Sequence, residues 1–286
     1  MNAISKDGVS LPVGIAGIGR LGVALAAALD AAGYSPLLLA TRHANPASVA
    51  GEFTDPTAFI ARCDVVFLTV PDDAIEEVAG GYSWRAGQIV AHCSGARGLD
   101  VLAAVSALGA GIGCLHPIQT FPPHLSAEQA AARFRGIVCG IEGDGEVGDV
   151  LEMLARELGA SIVRLEGVDR AAYHAAAVLA GNDVVALASA AARAWSHAGL
   201  PIERARDALA PLIRASADGI AELPLEQALT GPIARGDVAT VERHLRALAE
   251  DPELLDLYRK LALELLTLDL GHEPKLQLAL QRALRD

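Results

Sequence analysis

The chain predicts a doubly wound α/β domain followed by an all-helical one, and three observations carry that expectation. Seven short apolar runs alternate with helix-like segments as far as Gly167, a glycine-rich turn follows the first run, and beyond Gly167 only helical patterns remain. The chain has 286 residues, 52% of them hydrophobic, which suffices for two moderate cores. The expected boundary gives residues 1–167 to the sheet domain and 168–286 to the helical one.

The candidate strands are 11–17, 35–41, 64–70, 87–93, 109–116, 136–142 and 161–166, most of them bounded by Gly, Pro or Asp. Their near-continuous apolarity marks strands covered on both faces, as in a parallel sheet. Ala172 to Ala198 then reads as one proline-free helical pattern closed by Gly199 and Pro201. Asp251, Pro252 and Glu253 supply an N-cap, a first-turn proline and a first-turn acid for a later helix. The long pattern carries Val178, Leu179, Val184, Val185 and Leu187 among alanines, so it is apolar on nearly all sides and needs burial on all sides. The C-terminal part is short for enclosing such a helix, and a second subunit in a homodimer is expected to supply part of its cover.

Charge and composition exclude several classes. Lys and Arg total 23 against 35 Asp and Glu, a formal charge of -12, which leaves no basic face for a nucleic-acid backbone. The first dozen residues lack a charged-then-apolar signal pattern, and no unbroken apolar stretch reaches the roughly 18 residues of a spanning helix. The expectation is a cytoplasmic protein without a membrane partner. Cys63, Cys93, Cys114 and Cys139 form no close pair and no ligand spacing with histidine, so they read as small buried residues of a reduced protein, and no metal is expected.

The motif that carries chemistry lies at the first strand. Gly17, Gly19 and Gly22 form GxGxxG between the run 11–17 and an Ala/Leu-rich helix that continues through Arg20 and Leu21 to Ala32. Gly17 would permit the tight turn, Gly19 the approach of a pyrophosphate, and Gly22 the contact of helix with strand, while the helix start offers amides to the anion. This is the dinucleotide fingerprint of a Rossmann domain. The carboxylate that NAD sites place about 20 residues further on is missing, since no acid lies between Asp30 and Glu52. The second run ends instead in Ala40, Thr41, Arg42 and His43, where Arg42 can meet a 2′-phosphate with paired charged hydrogen bonds and Thr41 can add a hydroxyl. NADP is therefore the expected cofactor, although an Arg after a strand is also what solvation alone would select.

Five segments carry a resemblance: VVFLTVPDDAI at 65–75, AHCSGA at 91–96, GCLHPIQTF at 113–121, AYHAAAVLAGN at 172–182 and ALTGPIARGD at 228–237. Together they resemble the Rossmann-like NADP oxidoreductases often grouped with deazaflavin-dependent reductases, over almost the whole chain. More distantly the chain is similar to the group of 6-phosphogluconate, hydroxyisobutyrate and prephenate dehydrogenases and pyrroline-carboxylate reductase. That resemblance implies a dinucleotide domain paired with a helical dimerising domain, and in some relatives a deazaflavin. One departure and one further likeness stand out. Hydroxyisobutyrate-type enzymes use a lysine four residues before an asparagine on the long helix, where this chain has Val178 before Asn182 and His174 a turn earlier, with no lysine in that helix. Ser94 and the pair His116 and Pro117 resemble substrate-contacting positions of prephenate dehydrogenases.

Val70 and Pro71 end one strand and would turn the chain under the cofactor, or simply terminate the strand. Ser94 follows the next strand, where its hydroxyl could face nicotinamide or substrate. His116 ends the strand after that, and an imidazole titrating near neutrality would suit proton donation during hydride transfer; a structural histidine beside Pro117 is the alternative. His92 is a weaker candidate. On the long helix His174 and Asn182 lie about 80 degrees apart around the axis, and polar groups on so apolar a helix need partners, which a substrate between the domains or a neighbouring helix would provide. Tyr173 and Asp183 are adjacent alternatives. Arg235 could clamp an anionic substrate, but a structural role in its glycine-bounded loop is favoured. The expected activity is NADP-dependent hydride transfer with a small carbonyl, hydroxyl or imine compound; a non-catalytic NADP sensor is the rival reading.

Overall fold

The computed structural model describes residues 11–34, 37–41, 49, 51–123 and 125–285. Its centre is one eight-stranded sheet built from β1 (Val13–Ala16), β2 (Leu38–Ala40), β3 (Glu52–Phe53), β4 (Val65–Leu68), β5 (Ile89–His92), β6 (Gly111–Pro117), β7 (Val138–Glu142) and β8 (Ser161–Arg164). The order is β3-β2-β1-β4-β5-β6-β7-β8, and every neighbouring pair is parallel except β6 with β7. The order reverses direction between β1 and β4, which makes the C-terminal edge there a switch point.

Around the sheet lie α1 (Arg20–Ala31), α2 (Pro56–Arg62), α3 (Ile75–Gly80), α4 (Ala103–Ser106), α5 (Ala127–Ala132) and α6 (Gly145–Glu157). Alternate strand residues face opposite ways, and each face is covered. Ile15, Val65, Phe67, Ala91, Leu115 and Ile141 pack with buried side chains of α1, α5 and α6. Leu38, Ala40, Val66, Leu68 and Val90 pack on the other face with those of α2, α3 and the turn before α4. This two-sided burial is why the strands read as unbroken apolar runs.

After β8 the described residues hold only helices and turns: α7 (Arg170–Ala180), α8 (Asn182–His197), α9 (Ala205–Glu222), α10 (Leu225–Ala228), α11 (Pro232–Arg235), α12 (Val238–Ala247), α13 (Pro252–Leu265) and α14 (Pro274–Arg285). By its internal contacts the chain divides into two compact units at Gly181, not at the change of secondary structure near 167. The shift has a physical source, because α7 is bonded to the sheet through Arg170 and Tyr173. In the second unit Ile233, Val241, Leu245, Ala262, Leu266, Leu280 and Leu284 form a core among α11 to α14. Asp251 caps α13 by accepting from the Leu254 amide at 3.0 Å, as its sequence signal requires.

Four expectations change in detail. The sheet is mixed: the excursion from Pro117 through α5 returns to the edge it left, where the Ile118 amide donates to the Val138 carbonyl at 3.0 Å, so β7 runs back along β6. Apolarity could not reveal this, since a strand buried on both faces reads alike in either direction. A two-residue strand, β3, was too short to leave a period. The single helical pattern 172–198 is two helices, interrupted at Gly181 (φ -114, ψ -73). In the isolated chain that pattern is also far from enclosed, with Leu179 66% and Val185 72% exposed. Arg170–His197 is long and apolar enough to cross a membrane by length and composition, with a mean hydropathy of 1.6. It nevertheless carries Arg170, His174, Asn182, Asp183 and Arg193, so no unbroken apolar run within it reaches spanning length.

Candidate active site

The turn after β1 is built by glycines with different duties. Gly17 has φ +101, in the left-handed region, and a Cβ there would lie 2.6 Å from Val70 Cγ1 and 2.9 Å from the Thr69 carbonyl oxygen. At Gly22 a Cβ would lie 2.1 Å from the Gly17 carbonyl oxygen, so the missing side chain lets α1 sit on the turn. Gly19 differs, because a Cβ there would meet no heavy atom within 4 Å. It faces open space at the start of α1, where no side chain caps the helix and the amides of Arg20, Leu21 and Gly22 precede the first intrahelical donor, Val23. The Thr69 hydroxyl donates to the Gly17 carbonyl and ties the end of β4 to this turn.

A cavity of about 540 Å3 opens at this point. Gly17, Gly19, Thr41, Val70 and Pro71 line it, as the sequence led one to expect, while Gly22 packs behind the turn and Arg20 is exposed at the helix start. Leu21 is half-buried on the first core. Thr54, Val78 and Tyr82 also line the cavity, and no sequence signal marked them because they arrive from β3 and α3. Arg42, the expected partner of a 2′-phosphate, lies outside the described residues. Bare helix amides beside an open glycine, at a switch point, fit the pyrophosphate of a dinucleotide.

Because β1, β4, β5 and β6 are mutually parallel, their C-terminal ends share one edge, and a second group of polar residues lies further along it. Ser94 follows β5 and is 5% exposed. Its hydroxyl donates to Asp72 Oδ2 at 2.7 Å and accepts from the Ala96 and Arg97 amides at 3.2 and 3.1 Å. That hydroxyl is therefore spent on shaping the turn, and the expectation that it faces a ligand is replaced by a structural role. His116, near the end of β6, has Nδ1 2.8 Å from the Tyr173 hydroxyl on α7. The rings of His116 and His174 lie 6.2 Å apart, edge to face. His174 Nδ1 is buried without a hydrogen-bond partner.

Arg170 holds this arrangement. Its guanidinium donates to the Ser94 carbonyl at 2.8 Å, to Cys114 Sγ at 3.1 Å and to Glu142 Oε2 at 3.2 Å, and it sits 5.8 Å from the centre of the Tyr173 ring. The side chain is only 10% exposed. At Gly140 of β7 a Cβ would lie 2.5 Å from the Tyr173 hydroxyl, so only glycine admits α7 this close. Arg170, Asp72, Cys114 and Glu142 were not read from the sequence as site residues, because their partners are distant in the chain. Asn182 opens α8 in the second unit and is exposed, and Asp183 follows it there. Arg235 ends α11 in that unit. Among the described residues no group of three or more His, Cys, Asp or Glu is disposed to hold a metal.

Burial dominates the electrostatics. It pulls His116 down to about 4, with His174 and Arg170 adding to the shift, and pulls His92 down to about 4, aided by Arg170. His116 is thus neutral at pH 7, which corrects the expectation of an imidazole titrating near neutrality. Burial raises Tyr173 to about 12 and Cys114 to about 11, so both keep their protons. It also raises the Glu142 carboxyl, against the pull of Arg170.

Residues 4–117 match the model of the Rossmann-like domain family, and residues 137–265 match a family described as a domain of unknown function, DUF2520. No curated protein is similar to the chain in sequence. Among solved structures, a Thermotoga maritima protein is 26% identical with a TM-score of 0.67, over 88% of this chain and 96% of its own. A Bacteroides fragilis protein, provisionally named an NADP oxidoreductase, is 24% identical with a TM-score of 0.67, over 89% and 97%. An Aspergillus terreus reductive aminase, in complex with NADPH and ethyl-5-oxohexanoate, is 16% identical with a TM-score of 0.58, over 97% and 93%. These likenesses establish the Rossmann-like fold with its helical companion.

Two outcomes follow from this geometry. Gly19→Val should leave thermal stability near wild type while weakening NADPH binding at least tenfold, about 1.4 kcal/mol, whereas Gly22→Ala should lower stability by about 1–3 kcal/mol; melting and titration of both variants separate the two duties. His92 and His116 are held below their unfolded value, so the unfolded chain takes up protons first as pH falls. Their contribution is complete above about pH 6.5 and declines toward pH 4, and denaturant titrations at pH 7 and 5 should differ by about 2 kcal/mol for each histidine.

Proposed function

We propose that the protein is an NADP-dependent oxidoreductase that transfers a hydride between the nicotinamide and a small organic substrate. The observation that carries this reading is the shared edge: the glycine turn at β1, Pro71 after β4, and His116 with Tyr173 and His174 at β6 follow one another along it. From β1 to β6 is three strand steps, about 14 Å. The fold of NADPH-bound neighbours supports the same reading.

On this reading α1's first amides and Gly19 hold the pyrophosphate, Thr41 and Arg42 hold the adenosine-side phosphate, and Val70 with Pro71 supports the nicotinamide end. The bound cofactor supplies the hydride. The chain's own contribution is orientation, exclusion of water and a proton at His116. A neutral imidazole can do this through Nε2–H when the Tyr173 hydroxyl passes its proton to Nδ1 in the same event, which leaves a Tyr173 phenolate near the Arg170 guanidinium until water returns the proton. His174 lies beside it and shares the site. Four free, buried thiols fit the reducing cytoplasm as the place of action.

The exposed apolar side chains of α7 and α8, with Leu212 and Ile220 of α9, support a homodimer in which a second copy covers them. Light scattering at micromolar concentration should then give twice the mass of the chain, and a monomer would remove the dimer. For the function itself the test is calorimetric titration with NADPH and NADH of wild type and Arg42→Ala. NADPH should bind at least tenfold tighter than NADH, and Arg42→Ala should erase the difference. Binding of neither nucleotide would overturn the oxidoreductase.

A further inference from the structure

The cavity after β1 has a second wall, and β3 brings it. Gly51, with φ +132, admits β3 against β2, where a Cβ would lie 2.9 Å from Leu39 Cδ1 and 3.0 Å from the Leu37 carbonyl oxygen. The Glu52 and Thr54 amides then donate to the Leu37 and Leu39 carbonyls at 2.7 and 3.2 Å. Leu39 lies opposite Phe53, so one residue on, Ala40 and Thr54 come level at the ends of the two strands. Side chains alternate along a strand. Phe53 packs on the core that holds α1, so Thr54 emerges on the other face with Ala40, where Val78 and Tyr82 bound the same cavity.

Thr41, Thr54 and Thr69 all line this cavity. The Thr69 hydroxyl is committed to the Gly17 carbonyl. The half-buried Thr54 has no hydrogen-bond partner for its hydroxyl among the described residues. The acids beside it are occupied, since Glu52 pairs with Arg62 at 2.6 Å and Asp55 accepts from the Thr57 and Ala58 amides of α2 at 3.0 and 3.1 Å. These contacts also fix the chain on either side of Thr54. Among the described residues that line the cavity the single carboxylate is Glu77 on α3, which follows β4, three strands from β3 in the sheet.

The end of β2 is where a dinucleotide-binding sheet holds the 2′ position of the adenosine ribose. β3 lies one strand step from it, about 4.8 Å, and a hydroxyl there reaches an oxygen of the same phosphate at about 2.7 Å. We propose that the Thr54 hydroxyl is a ligand of the 2′-phosphate of NADP, donating from β3 while Thr41 and Arg42 hold the group from the end of β2. This rests on the oxidoreductase reading and adds a specificity-determining residue to it. A hydroxyl suits the role, because it donates to a phosphate oxygen and here gives up no partner in the chain to do so. A carboxylate at residue 54 would reverse the preference, since it accepts from the ribose hydroxyls of NAD and repels a phosphate.

Calorimetric titration of the whole chain with NADPH, NADH and adenosine 2′,5′-bisphosphate tests this without turnover. Thr54→Val keeps the branched shape and removes the O–H. It should weaken NADPH and the bisphosphate about tenfold, the value of one hydrogen bond to a charged group, and leave NADH within about twofold of wild type. Thr54→Ser should recover most of the loss, and Thr54→Asp should bind NADH more tightly than NADPH. Melting temperatures should stay near wild type, and if Thr54→Val melts lower, the comparison of NADPH with NADH in that one variant still reads the phosphate alone. An unchanged ratio of the two affinities in Thr54→Val would overturn the proposal. So would equal weakening of both nucleotides, which would move the contact to the adenine or the ribose. In either case the oxidoreductase reading stands. Binding of neither nucleotide to the wild type would remove that reading and the 2′-phosphate contact with it, so the two failures are distinguishable.

Discussion

A guanidinium buried beside a sheet has to be paired where it lies, and the Arg170 side chain, 10% exposed, meets most of that demand through its two terminal nitrogens, which reach the Ser94 carbonyl after β5, the Cys114 thiol within β6 and the Glu142 carboxylate at the end of β7, while Nε is left without a partner. The placement of α7 depends on this. Tyr173 and His174 sit on the same helix, one turn beyond Arg170, so fixing the arginine brings both against His116. Gly140 and Gly95 lack the side chains that would meet Tyr173 and His174 and hold the helix away. The division of the chain at Gly181 reflects the same bonds, since α7 belongs by contact to the sheet.

The same burial that makes Arg170 demand partners keeps His92 and His116 uncharged. A cation already in place and a low-dielectric surrounding both disfavour a second positive charge, so His116 stays neutral across the physiological range. His116 and Tyr173, hydrogen-bonded to each other at this edge, are accordingly both uncharged there. The turn after β1 is built by a different device. There the polar groups are backbone amides left open by α1, beside a glycine whose missing side chain leaves their approach clear.

Much of this was legible in the residues. All seven apolar runs became strands, and GxGxxG at 17, 19 and 22 did become a strand-to-helix turn lining a cavity, because both depend on local pattern and on glycine's lack of a side chain. His116 and His174 were legible as polar exceptions in apolar elements. The role of Ser94 was not, because whether its hydroxyl is free depends on Asp72, 22 residues away. Nor was the charge state of His116, which is set by burial and by Arg170 from another element.

The sequence by itself determined the two-sided sheet, the glycine-rich strand-to-helix turn and the change to helices near residue 167, since periodicity and glycine placement act over a few neighbouring residues. Tertiary structure alone decided the reversed direction of β7, the attachment of α7 to the sheet and the convergence of two imidazoles beside Gly95. Each of those depends on contacts between residues distant in the chain, and such contacts leave no local period to read.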